Sequence, residues 1–182
     1  MLTQGSKSSV NHRGELFSKV VRYLTNRNAK RRIVRQAVQT QPQEQEAITV
    51  SQVQGKVPVS ILHLRGTLNA SSYRDLIAKA KEVYQAGGYH LILDMSDVPA
   101  VGVSSMLALH SIAVLLRGEE PLDPEAGWDA LRAVARDLEV GGLQEHIKLL
   151  NPKPGVKETL EQAGFGDFLE IHSNLETAIA SF

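Results

Sequence analysis

The stretch Tyr89 to Leu116, YHLILDMSDVPAVGVSSMLALHSIAVLL, constrains the fold more than any other part of the chain. His90 to Met95 is a short, almost continuously apolar run with Leu-Ile-Leu inside it, the pattern of a strand covered on both faces. Ser96, Asp97, Val98 and Pro99 then turn the chain. After Gly102, Val103 to Leu116 breaks its apolar character only at Ser104, Ser105, His110 and Ser111, which predicts a nearly buried helix. The two serines put hydroxyls beside free backbone N–H groups at a helix start. Such a place accommodates negative charge.

The flanking sequence repeats this alternation. Ile48 to Val53 and Val57 to Arg65 read as two β-runs joined at Gly55-Lys56, a hairpin signal. Gly66 to Ala70 turns the chain, and Ser71 or Ser72 is placed to cap the next helix. On that helix Tyr73, Leu76, Ile77, Ala80, Val83 and Tyr84 recur on one face, and Gly87-Gly88 stops it. Further on, Ile147 to Leu150 reads as a fourth strand. Pro152 and Pro154 introduce a helix with Val156, Leu160 and Ala163 inward, ended by Gly164. Phe168 to Ile171 reads as a short fifth strand. Ser173 to Glu176 matches a capping box, opening a closing helix with Leu175, Ala178, Ile179 and Phe182 inward. This order indicates one α/β layer domain: a mixed sheet of about five strands with about four helices, plus a helical insertion.

Two motifs resemble those of the STAS domain family (sulphate transporter and anti-sigma factor antagonist), especially its free-standing antagonists. That family carries a strand ending in Asp or Asn, a loop of about seven residues, then Asp-Ser-Ser-Gly-Leu opening a helix. Here Asp94 matches the strand end, and Gly102-Val103-Ser104-Ser105-Met106 occupies the loop end. The second signature, Gly-x-Leu-Asp before a helix, is matched by Gly66-Thr67-Leu68-Asn69. The resemblance runs from about Ile48 to Phe182, one insertion apart. In phosphorylatable members the first serine of the motif accepts phosphate, with both motif aspartates near it. An ungapped alignment puts Val103 at that serine, Gly102 at one aspartate and Asn69 at the other. Sliding by one residue makes Ser104 the acceptor, with Ser105 the second choice. Serine is also among the best helix N-caps, and that role alone is the simpler account of one of the pair.

The resemblance implies a non-enzymatic regulator that captures a kinase-like anti-sigma factor and so acts on sigma-factor-dependent transcription. The implied partner surface comprises Gly66, Asn69, Asp94, Asp97, Ala100, Gly102, Val103, Ser104, Ser105 and Met106. Nothing in the sequence suggests catalysis, a metal or a cofactor. The six histidines, at 12, 63, 90, 110, 146 and 172, have no metal-ligand spacing. There is no Gly-rich phosphate loop, no G-x-S-x-G and no dinucleotide fingerprint.

Charge divides the chain. Residues 1 to 40 hold nine Lys or Arg and one acid, whereas residues 41 to 182 hold eleven bases and nineteen acids, so +8 faces −8 within a formal net charge of zero. The expected organisation is a basic, partly helical tail over 1–40, a polar linker over 41–47 and a domain over 48–182 with an acidic insertion at 118–142. In the tail, Leu16, Phe17, Val20, Val21 and Leu24 share a helical face. A solvated basic helix explains it most simply; contact with nucleic acid or anionic lipid is the sharper alternative. In the insertion, Trp128, Leu131, Val134, Ala135 and Leu138 predict a short helix packed on the domain edge, the alternative being a partner-docking surface anchored by Trp128. Self-association, or a scaffold assembled through tail and insertion without a phosphoswitch, is the second reading. No apolar run approaches the roughly 20 residues of a membrane span and the start lacks a signal-peptide core, so the cytoplasm is the expected location.

Overall fold

Ile48–Gln54 (β1) and Pro58–Arg65 (β2) form an antiparallel hairpin, with Ile48 opposite Leu64 and Gln54 opposite Pro58. The computed structural model describes residues 47–121 and 126–182; the tail over 1–40, the linker up to residue 46 and residues 122–125 lie outside the described residues. The hairpin turn is tight against the end of the chain: a Cβ on Gly55 would lie 2.5 Å from the Ile179 side chain, so glycine is what fits there. Leu91–Asp97 (β3), Ile147–Leu150 (β4) and Glu170–His172 (β5) add in parallel to β2, giving one five-stranded sheet whose order repeats the chain order.

Each parallel step needs a crossover, and right-handed crossovers that always advance in one direction lay their helices on one face. Tyr73–Gln85 (α1), Val103–Leu116 (α2), Trp128–Val140 (α3) and Pro154–Gln162 (α4) accordingly share a core with Leu62, Leu64, Leu91, Leu93, Met95, Ile147 and Leu149. The alternate residues Val59, Ile61, Ile92 and Leu150 point the other way and pack with Ala178 and Ile179 of Leu175–Ala180 (α5), with Val53, Val57 and Phe182 beside them. The central strands are therefore buried on both sides, as their apolar runs require.

Several boundaries differ from the sequence reading. β3 begins at Leu91 and runs on through Ser96 and Asp97, because Asp97 still pairs with Arg65 after a register shift; the turn starts at Val98. β5 lies at Glu170–His172, while Phe168 and Leu169 are buried in the turn before it. α5 is capped by Asn174, whose side chain accepts from the Glu176 and Thr177 N–H groups, instead of by a Ser173–Glu176 box, and Leu175 is exposed. α3 buries Ala130, Val134, Ala135 and Leu138, but Trp128 is 59% exposed and does not join that face.

α3 is held to α2 by charge as well as packing. His110, only 2% exposed, bonds through Nε2 to Asp137 Oδ2 (2.8 Å), and Arg117 Nη2 reaches the same oxygen (3.0 Å). Arg117 also bonds Glu119 and Gln144, so one guanidinium ties α2 to both ends of the insertion. Burial holds the His110 imidazole below its ordinary 6.5 and outweighs Asp137, whose charge Arg117 already offsets. His90 is likewise lowered, by burial and by the neighbouring His146. On the α5 face the buried Lys148 pairs with Glu170 and sits 5.3 Å from the Phe182 ring centroid.

A histidine whose pKa is depressed by folding binds its proton more readily when unfolded, so its contribution is intact above the unfolded value and falls away as pH drops below about 6.5. The urea midpoint should therefore fall between pH 7.5 and 5.5. In His110→Gln, which keeps a donor for Asp137 but cannot titrate, that fall should shrink. An equal fall in the variant would remove His110 from the account.

Candidate functional site

Beyond the ends of β2 and β3 the two motif loops are zipped together by backbone bonds. Gly66 N–H donates to Asp97 O (3.1 Å), Leu68 N–H to Ala100 O (3.2 Å) and Gly102 N–H to Leu68 O (3.0 Å), with Leu68 and Val101 forming a parallel bridge. Gly66 turns at φ 81°, a left-handed conformation that favours glycine. Leu68 and Val101 are buried beneath the pair, so the loops are anchored from below and present their backbone outward. Placed at the C-terminal ends of parallel strands, this surface lies where open α/β sheets most often bind.

Gly102, not a serine, is the N-cap of α2. Ser105 instead reaches back from the third helical position. Its Oγ accepts from Gly102 N–H (3.0 Å) and donates to Leu68 O (2.6 Å), and the residue is 0% exposed. A hydroxyl so placed joins helix start to both loops and is closed to a modifying partner. Ser104, at the second helical position, is half-exposed, and among the described residues its hydroxyl makes no hydrogen bond. Val103 packs partly against the core while staying partly exposed, and Met106 is buried beneath the surface.

The other expected residues divide between two faces. Asn69 turns toward the start of α1: its Oδ1 accepts from Ser71 N–H (2.8 Å) and Ser71 Oγ (2.6 Å), while its carbonyl accepts from Ser72 and Tyr73 N–H. This Asx turn, not a Ser71 or Ser72 side-chain cap, opens the helix. Asp94 lies on the face away from α2. One oxygen takes the Ser96 hydroxyl (2.6 Å) and N–H (3.1 Å), and the other lies 3.0 Å from His63 Nδ1. Burial raises its pKa, but Ser96 and His63 together hold the carboxyl below its ordinary 3.8. His63 Nε2 in turn meets Ser51 Oγ (2.8 Å), completing a polar chain across β1, β2 and β3. The sequence motif had no means of announcing that chain, since its members are far apart in the sequence. Gly66, Asp97, Ala100, Gly102 and Ser104 remain at the loop surface. A Cβ on Gly102 would meet only Leu68 O at 3.7 Å, an ordinary contact, so an aspartate fits there.

Residues 50–119 match the family model of the STAS domain. Among solved structures the chain is similar to a candidate anti-sigma factor antagonist of Thermotoga maritima, at 16% identity and a TM-score of 0.49 over 74% of this chain and 93% of that one. It is similar to an anti-sigma factor antagonist of Mycobacterium paratuberculosis, at 16% identity and 0.45 over 74% and 92%. The phosphorylated form of the Bacillus cell fate determinant SpoIIAA gives 18% identity and 0.44 over 74% and 97%. No curated protein matches the sequence. No helix among the described residues is long and apolar enough to cross a membrane.

The two serines should separate cleanly in stability. Ser105→Ala removes the hydroxyl's bonds to Leu68 O and Gly102 N–H, which keep only their bond to each other, and should cost about 1 kcal/mol in urea unfolding. Ser104→Ala should stay within about 0.5 kcal/mol of wild type. Equal costs would contradict the division of roles.

Proposed function

We propose that the protein is a non-enzymatic regulatory binding module that captures a kinase-like anti-sigma factor and so frees a sigma factor. The contact surface is the loop pair Gly66–Asn69 and Val98–Gly102 with the start of α2. The observation that carries this reading is Ser104: a half-exposed hydroxyl, without a bonding partner among the described residues, at a helix start whose N–H groups favour an anion. A phosphate there would bring about −1.5 to −2 charges to the centre of the surface and change which partner face it accepts. The cytoplasm is the compartment this role requires. Within it, residues 48–182 act as the binding domain and 1–40 as an appended basic segment.

Ser104→Glu or a bulky residue at Ala100 should weaken capture at least tenfold, or about 1.4 kcal/mol, by calorimetry with the fold unchanged. Incubation with the cognate kinase and ATP should label Ser104 and leave Ser105 unlabelled. Wild-type binding by Ser104→Glu, with no phosphate found by mass spectrometry, would overturn both capture at this surface and the switch.

One observation favours the second reading, a scaffold without a phosphoswitch: Trp128 stands exposed on an insertion that carries seven acids against Arg132 and Arg136. Opposite charges on one chain meet at effective concentrations that reach millimolar. The basic tail would then dock on α3, and deleting residues 1–40 should change Trp128 fluorescence and its quenching by acrylamide in a salt-sensitive way. Identical spectra and quenching at low and high salt would exclude that contact.

A further inference from the structure

The two edges of the sheet are built differently. β5 is three residues long and carries Glu170 and His172, the short charged form that discourages strand pairing. β1 is seven residues long, ITVSQVQ, with no charge, proline or glycine, and it runs opposite β2 without a register shift. Its outer side has no strand beside it among the described residues. Antiparallel pairing alternates, and two bonds fix its phase: Arg65 N–H to Ala47 O (2.8 Å) and Gly55 N–H to Val57 O (3.1 Å). Odd-numbered residues of β1 therefore bond to β2. Ile48, Val50, Gln52 and Gln54 direct their amide groups outward, and Val50 is 42% exposed.

We infer that this edge is a self-association surface, on which β1 of a second copy pairs antiparallel about a two-fold axis at Ser51. That register sets Ile48 against the partner's Gln54 and Val50 against the partner's Gln52. All four outward-facing residues on each copy then exchange hydrogen bonds, and the two sheets become one. The strand's own composition supports this occupant, because an uncharged edge meets itself without like-charge opposition. The full chain's formal net charge of zero adds no long-range repulsion. The segment preceding β1 is a poor competitor for the edge: Gln41 to Glu46 brings Pro42, which has no N–H to give, and two glutamates.

The test uses the full chain. Light scattering should give twice the 19.9 kDa chain mass at high protein concentration. Val50→Pro and Gln52→Pro each delete an outward N–H while leaving the ladder to β2 intact, and should weaken the dimer at least tenfold with an unchanged circular dichroism spectrum. Because the chain has no cysteine, Ser51→Cys supplies a single thiol. At a non-hydrogen-bonded pair the two Cα atoms lie about 4.5 Å apart, within disulfide range. Ser51→Cys should therefore oxidise to a covalent dimer, whereas Glu176→Cys, exposed on α5, should not. A wild type monomeric at every concentration, or a dimer indifferent to both prolines, would overturn the proposal. Ser51→Cys cross-linking no faster than Glu176→Cys would overturn the two-fold register at Ser51.

Discussion

From Ser105 to Leu116 only Leu107 of α2 escapes full burial, so this helix has no side to show to water. A helix of that kind must be enclosed. The sheet covers one side, α1 and α4 share its core, and α3 closes what remains. The insertion is thus a structural necessity of the helix it covers, not only an appendage. His110 follows from the same constraint. A polar ring that deep needs a partner, and Asp137 on the insertion provides it, with Arg117 offsetting the carboxylate's charge.

The opposite end of α2 solves a different problem. Its N-terminal N–H groups meet two loops whose own polar groups are partly satisfied by each other. One buried hydroxyl, on Ser105, completes the junction, while the hydroxyl beside it is left over. Structure and proposed switching are thereby assigned to neighbouring residues. Only the residue that holds no loop in place is available to a partner. In an ungapped alignment the family's acceptor position falls on Val103, which packs partly against the core.

Periodic apolar burial was legible in the sequence. Val103–Leu116 was readable to its ends, and β4 likewise, because both are apolar runs with unambiguous borders. Caps were less legible. Ser72 is the N-cap of α1 but makes no side-chain capping bond, and Gly102 and Asn174 took roles that serines nearby could equally have filled, since choosing among adjacent capping residues depends on backbone angles that composition does not reveal. Trp128 was misread for a related reason: a position at the first turn of a helix shares the periodicity of the buried face but lies beyond the end of what it packs on. Of the site, the loops were foreseeable from their motifs. The Ser51–His63–Asp94 chain and the Lys148–Glu170 pair were not, because cross-strand neighbours depend on register.

The sheet order repeats the chain order, and this has a consequence for how the domain assembles. Every strand joins a neighbour that has already left the ribosome, so the sheet can grow in the direction of synthesis without waiting for a distant partner. The step that inserts β4 is the slowest to close. Between Asp97 and Ile147 the chain runs roughly twice as far as between Arg65 and Leu91, which adds only about 0.6 kcal/mol of loop-closure entropy. During that interval β3 is itself an open edge, with Leu91, Ile92 and Leu93 uncovered on one flank. A nascent chain halted within the insertion would display that flank to whatever is nearby, including another nascent copy.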